Sequence, residues 1–210
     1  MNIPNKITCL RMLLVPVLVI IAYLPIEVLD NCIPNTYIPI RYLVLLVIFG
    51  IAAITDHFDG SIARKKNLIT TFGKFLDPIA DKLLVVASLL ILVEFRIIPA
   101  WIVIITEARE LLVAASRMLQ AKKGNVVAAS WYGKVKTVAQ MTAIIFAFLC
   151  VSPFFAFVDG PAAEAFKDGG MVQFVLNILM SIAMCVSLIA SVFSGWDYIK
   201  ASKDDILESK

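Results

Sequence analysis

Charge is the scarcest ingredient of this 210-residue chain: 17% of its residues are Asp, Glu, Lys or Arg, while 60% are hydrophobic. A soluble domain of this size is nearer half apolar and roughly a quarter charged, so one water-soluble core cannot hide this much hydrocarbon. The formal charge is only +3, and the basic residues are not interleaved with aromatics on a polar surface, which excludes nucleic acid as a partner. The four cysteines, Cys9, Cys32, Cys150 and Cys185, form no CxxC pair and no metal-ligand spacing, and read as packing residues. Internal repeats and low-complexity tracts are absent. The apolar run 7–23 has no small-residue cleavage pattern after it, and Pro25 and Glu27 follow directly. It is expected to be a retained transmembrane helix rather than a signal peptide.

What the chain does have is long apolar runs. A spanning helix needs ~20 mainly apolar residues, and segments near that length cover 8–24, 38–55, 83–95, 97–120, 135–157 and 172–193. The third reaches full length once 72–81 is added as a polar extension of the same helix. The expectation is an all-α, polytopic membrane protein with six transmembrane helices in a single domain, 1–210. Asp159-Gly160-Pro161 and Gly169-Gly170 are expected to mark a flexible or tight loop before the last span. Fifteen of the nineteen Lys and Arg, among them Arg11, Arg64, Lys82, Arg117, Lys134 and Lys136, fall on one side. Arg41, Arg96 and Lys167 fall on the other, and Arg109 lies within the fourth span. The positive-inside rule then places both termini in the cytoplasm, as an even number of spans requires. Trp101, Trp131 and Trp196 suit the aromatic belts at the two interfaces.

The second span runs into Thr55-Asp56-His57-Phe58-Asp59-Gly60-Ser61-Ile62-Ala63-Arg64, and the third begins Phe72-Gly73-Lys74-Phe75-Leu76-Asp77-Pro78-Ile79-Ala80-Asp81-Lys82. If the helix continues, Asp56 and Asp59 at i, i+3 share a face, as do Asp77 and Asp81 at i, i+4. A short connection makes the two helices antiparallel neighbours, so four carboxylates can converge. Four uncompensated negative charges at a membrane boundary repel and are costly to desolvate. Hard divalent cations remove that cost, and Mg²⁺ or Mn²⁺ suits an all-oxygen set. Gly60, Ala63 and Gly73 leave a groove where a nucleotide or pyrophosphate can approach the backbone, and Arg64 offers a planar fork for phosphate oxygens. His57, the only histidine, faces away from Asp56 and Asp59 and reads as interfacial packing.

The run Asp56-x2-Asp59-Gly60-x2-Ala63-Arg64-x8-Gly73-x3-Asp77-x3-Asp81 resembles the signature of the CDP-alcohol phosphatidyltransferase family at every position. The resemblance implies a six-helix membrane fold, usually a homodimer, with two divalent cations and a CDP-linked lipid donor that releases CMP. Asp56, Asp59 and Asp77 are implied to be chiefly metal ligands. Asp81 is implied to deprotonate the acceptor hydroxyl besides contacting metal, and Asp56, Asp59, Gly60, Ala63, Arg64 and Gly73 to bind the donor.

Looser matches extend over nearly the whole chain: Asn2-Ile3-Pro4-Asn5-Lys6-Ile7-Thr8 with Arg11, Arg109-Glu110 with Arg117, Ala128-Ala129-Ser130, Gly133-Lys134-x-Lys136-Thr137-x2-Gln140, and Ser194-Gly195-x2-Tyr198. These resemble the bacterial branch of the family that makes phosphatidylglycerophosphate, and imply glycerol 3-phosphate as acceptor at a plasma-membrane site facing the cytoplasm. Charge supports an anionic acceptor independently. Arg109 inside an apolar span is costly unless it faces a wet cavity or a partner such as Glu107 or Glu110. Arg109, Arg117 and Lys134 are the candidate pocket for the acceptor phosphate. Within the same family, cardiolipin synthase and phosphatidylinositol-phosphate synthase are the alternatives. A divalent-cation transporter is the alternative from another class, but it leaves Arg64 and the Gly/Ala groove unexplained and favours sites near the midplane.

Overall fold

Backbone is described for residues 3–33, 38–66, 71–122, 130–156 and 160–207 of a computed structural model, and side chains for 8–33, 38–55, 76, 79–118, 120–121, 130–156 and 171–200. Seven helices and no strand occur among these residues: α1 (Ile3–Tyr23), α2 (Glu27–Asp30), α3 (Ile40–Lys66), α4 (Thr71–Glu94), α5 (Ala100–Lys122), α6 (Trp131–Cys150) and α7 (Gly160–Leu207). Trp131–Cys150 and Met171–Lys200 are long and apolar enough to cross a membrane, and Thr8–Tyr23 and Ile40–Thr55 are shorter apolar stretches. The core joins Leu18 of α1, Phe49 of α3, Leu89 and Leu92 of α4, Ile102 of α5, Phe148 of α6 and Met184 of α7.

Each helix ends where local chemistry lets it. α1 stops before Pro25, and Arg41 of α3 reaches across to donate to the carbonyls of Ile21 (2.7 Å), Ala22 (3.1 Å) and Leu24 (2.8 Å). The first two are carbonyls of the last turn, which the helix itself leaves without donors. The same guanidinium holds Asp30 through two bonds of 2.8 and 3.0 Å. α4 closes with Arg96 in the left-handed region (φ 58°). The Arg96 amide donates to Val93 O and the Ile97 amide to Leu92 O, both at 2.9 Å, the bond pattern of a Schellman turn. Ser130 caps α6 by accepting from the Gly133 amide, and Val151 ends it at φ 55°.

α7 corrects one expectation. The helix starts at Gly160 and runs unbroken past Gly169-Gly170, so those glycines are not a loop. Two helical glycines cost about 1 kcal/mol each relative to alanine, which a 48-residue helix packed on its neighbours can absorb. Pro161 sits in the first turn, where its missing N–H is harmless. Asp159 lies outside the described residues. α4 begins at Thr71, so the polar extension 72–81 is part of the helix as expected, with Pro78 inside it.

Packing positions the site. α1 lies against α3 and α4, while α5 and α6 both pack on α7; α5 and α6 have no close backbone approach to each other among the described residues. The gap between them is spanned by side chains. α7 offers the end of α6 and the turn after it a stripe of buried polar groups: Gln173 Nε2 donates to Leu149 O (3.3 Å), Asn177 Nδ2 to Pro153 O (2.9 Å), and Ser181 Oγ accepts from the Phe155 amide (3.3 Å). Small polar residues of this kind serve helix association where water is scarce.

Candidate functional site

Arg11, Asp81, Lys82, Glu110, Lys136 and Tyr198 come from five different helices and meet at one end of the bundle, whereas Arg41 and Arg96 stand at the other. Continuous helix through α3 and α4 carries Asp56, Asp59, Gly60, Ala63, Arg64, Gly73 and Asp77. Their side chains, and with them the metal-ligand and donor-binding expectations, lie outside the described residues. The backbone does meet one requirement of a metal site. With both helices unbroken, the i, i+3 and i, i+4 spacings keep each carboxylate pair on one helix face, and an all-carboxylate donor set suits Mg²⁺ or Mn²⁺. Among the described residues no other group of three or more His, Cys, Asp and Glu could hold a metal.

Asp81 is the described member of the four. Its side chain is 52% exposed, and its Oδ1 accepts from Nη1 of Arg11 at 3.1 Å, the arginine being only 1% exposed. Arg11 thus supplies a fixed counter-charge and an orientation from a helix far away in sequence. As a site residue it escaped the sequence reading, which counted it only toward topology and the amino-terminal match. The usable signal was a charge in the third turn of α1, inside the apolar run 7–23, which demands a partner.

Asp81 lines a cavity of about 310 Å³ with Ala53 of α3, Lys82 of α4, Glu107 and Glu110 of α5, and Lys136, Thr137 and Gln140 of α6. Arg109, Arg117 and Lys134, the three candidates for an anionic acceptor, line a second cavity of about 430 Å³ with Gly133. Glu110 and Thr137 line both cavities, so the cationic compartment and the Asp81 compartment share a wall.

Glu110 is the electrostatic centre of that wall. It is 20% exposed and accepts from Arg109 Nη1 at 2.6 Å and Lys136 Nζ at 2.8 Å, with Lys82 Nζ at 3.7 Å. Three cations around one carboxylate leave net positive charge beside the acidic site. The partner expected for Arg109 is therefore Glu110. Arg109 also donates to Ser194 Oγ, which lies 3.0 Å from Ser130 Oγ. A Cβ at Gly133 would come 3.3 Å from Arg109 Nη2, and one at Gly195 would come 3.2 Å from Arg109 Cγ. Side chains at either position would crowd the arginine. Arg117 donates to the Tyr198 hydroxyl at 2.6 Å and lies over its ring, 5.3 Å from the centroid, a cation–π contact. Residues of the scattered carboxy-terminal motifs thus meet in two groups on one cavity wall, Ser130, Lys136 and Ser194 around Arg109 and Glu110, and Tyr198 on Arg117.

Comparison with known proteins agrees in extent. Residues 1–196 match the CDP-alcohol phosphatidyltransferase family. The chain is 42% identical over 197 residues to a CDP-diacylglycerol–glycerol-3-phosphate 3-phosphatidyltransferase of Bacillus subtilis, covering 94% of this chain and 93% of that protein. Proteins of the same name from Shigella flexneri serotype 5b (41% over 214 residues, 99% and 98% covered) and Haemophilus influenzae (34% over 218 residues, 99% and 97% covered) are also similar.

Proposed function

We infer the function of a chain that belongs to the CDP-alcohol phosphatidyltransferase family: it transfers the phosphatidyl group of CDP-diacylglycerol to glycerol 3-phosphate, giving phosphatidylglycerophosphate and CMP. The observation that carries the acceptor is the pair of adjoining cavities. One presents Arg109, Arg117 and Lys134 to an anion, the other presents Asp81, and they meet at Glu110 and Thr137. A phosphate in the first and a hydroxyl in the second is the layout a small phosphorylated alcohol requires.

In this reading Asp81 accepts the proton of the acceptor hydroxyl as its oxygen bonds to the phosphorus that carries the diacylglycerol. The bond from that phosphorus to the bridging oxygen breaks, and CMP leaves. Arg11 holds the Asp81 carboxylate in place for that transfer. Gly60, Ala63 and Gly73 keep the backbone open to the donor, and Arg64 takes phosphate oxygens. Asp56, Asp59, Asp77 and Asp81 would hold two divalent cations, Mg²⁺ or Mn²⁺, which when bound would neutralise charge developing on the pyrophosphate oxygens.

The chain acts as one domain, 1–210, with six spans: α1, α3, α4, α5, α6 and the middle of α7. Each of these helices has at least 20 residues, or about 30 Å at 1.5 Å per residue, enough for a bilayer core. The cationic end, with Arg11, Lys82, Lys134 and Lys136, faces the cytoplasm, so both termini lie there. The protein resides in the cell membrane as a homodimer, its acyl substrates held in the bilayer while headgroups meet the soluble acceptor. The test is incorporation of labelled glycerol 3-phosphate into lipid by purified protein. Product that requires both CDP-diacylglycerol and Mg²⁺ or Mn²⁺ is expected, and no product under those conditions overturns the assignment.

A further inference from the structure

Glu107 is a carboxylate that neither the aspartate signature nor the cationic cavity uses. It sits on α5 one turn from Glu110, on the same helix face, and lines the Asp81 cavity. Across the gap, Lys136 and Gln140 share a face of α6 at i, i+4. The two helices thus face each other in two layers. The outer layer is clasped, Lys136 Nζ donating to Glu110 at 2.8 Å. The inner layer, Glu107 and Gln140, is not closed by a hydrogen bond, and among the described residues none makes an ion pair with Glu107. Lys82, Lys136 and Arg109 make their ion pairs with Glu110, and the two lysines act on Glu107 only at longer range. A half-buried carboxylate without a hydrogen bond is costly, and one that opens onto a cavity can serve as a hydrogen-bond acceptor.

We propose that Glu107, with Gln140 lining the same cavity, reads the secondary hydroxyl of the acceptor and selects phosphorylated vicinal diols over simple phosphorylated alcohols. This rests on the acceptor reading above. With phosphate held by the cationic cavity and the attacking primary hydroxyl at Asp81, the middle of a three-carbon acceptor lies along the shared wall. The remaining hydroxyl then has to be satisfied from the Asp81 cavity. A carboxylate is an acceptor only, so it rewards a hydroxyl donor and is stranded by a hydrocarbon at the same place. Sites built to bond a substrate hydroxyl discriminate strongly against the analogue that lacks it.

The experiment uses full-length protein in mixed micelles with CDP-diacylglycerol and Mn²⁺, and compares sn-glycerol 3-phosphate with 3-hydroxypropyl phosphate, which lacks the secondary hydroxyl. Wild type is expected to favour glycerol 3-phosphate by about 10- to 100-fold in kcat/KM, the range of one hydrogen bond to a charged group. Glu107→Ala is expected to lose that factor with glycerol 3-phosphate and to stay within about threefold of wild type with the deoxy acceptor. Equal losses on both acceptors, or unchanged selectivity, would overturn the proposal. Glu107→Gln keeps the shape of the side chain and decides the matter if the alanine variant does not fold: its selectivity should drop by about fivefold or more, since only the charge-assisted part of the bond is lost, and wild-type selectivity would refute the role. A wild-type protein inactive with both acceptors sinks the parent assignment. One that is active with both but indifferent between them sinks only the role of Glu107.

Discussion

At the scale of single residues, the site is governed by which charges are already matched. Asp81 is held by Arg11 at 3.1 Å, an arrangement suited to a base that must stay oriented. Asp81→Asn cannot take a proton, so turnover is expected to fall by roughly 10²- to 10⁴-fold while donor binding is largely kept. CDP-diacylglycerol binding measured beside the rate separates the two, and an Asp81→Asn enzyme with near wild-type turnover removes Asp81 as base. Glu110 is the other critical carboxylate, since Arg109 and Lys136, both buried, depend on it. Glu110→Gln leaves cations without their counter-charge, a class of change that costs about 3 kcal/mol or more. A lower thermal midpoint together with a raised KM for glycerol 3-phosphate is the expected outcome. An unaltered midpoint would show that the cluster contributes nothing to the fold.

Elements are held together at their ends more than their sequences advertise. Arg41 satisfies the last carbonyls of α1 and clamps Asp30 of α2, so three helices share one guanidinium. That hydrogen bond holds the Asp30 carboxyl below its ordinary value. A carboxylate lowered in the folded state stabilises at pH above its unfolded value, about 3.9 for aspartate. The contribution is lost as pH falls through the lower folded value. Thermal stability of the wild type should therefore decline below about pH 4 more steeply than that of Asp30→Asn, and at neutral pH the wild type should be the more stable. Parallel curves for the two proteins would dismiss the clasp. Much of this scale was readable beforehand. The length of apolar runs located the helices, and the condition for two carboxylate pairs to share a face, that the helix continue beyond Thr55, is met by α3. The glycines of α7 misled, because a glycine pair signals a break only where packing does not hold the helix. The Arg41 contacts had no local signal, since carbonyl and guanidinium lie about 20 residues apart in sequence and spacing rules reach only one or two turns.

For the whole molecule the arrangement is polarised: Arg11, Lys82, Lys134 and Lys136 at the end that holds Asp81, Arg41 and Arg96 at the far end. Cys32, exposed beside α2, provides a natural marker of the far end, and Trp131, exposed at the start of α6, marks the near one. In intact spheroplasts a membrane-impermeant maleimide should label Cys32. In a Cys32→Ser background, Trp131→Cys should be labelled only after permeabilisation. The opposite pattern would invert the proposed topology.

What the sequence determined by itself is what local spacing and composition can carry. Too little charge for a soluble core pointed to a membrane, carboxylates at i, i+3 and i, i+4 pointed to a shared helix face for each pair, and an arginine in an apolar run called for a partner nearby. Arg109, Arg117 and Lys134, grouped in the sequence by charge alone, line one cavity in the structure. The tertiary structure decided who pairs with whom. Only the separation of α5 from α6, both leaning on α7 instead, opens the space that Lys136 crosses to reach Glu110 and that Glu107 and Gln140 leave open. Only the contact of α1 with α4 brings Arg11 to Asp81. Those choices depend on how helices pack across long stretches of chain, and a charge carries no local mark of which distant partner will neutralise it.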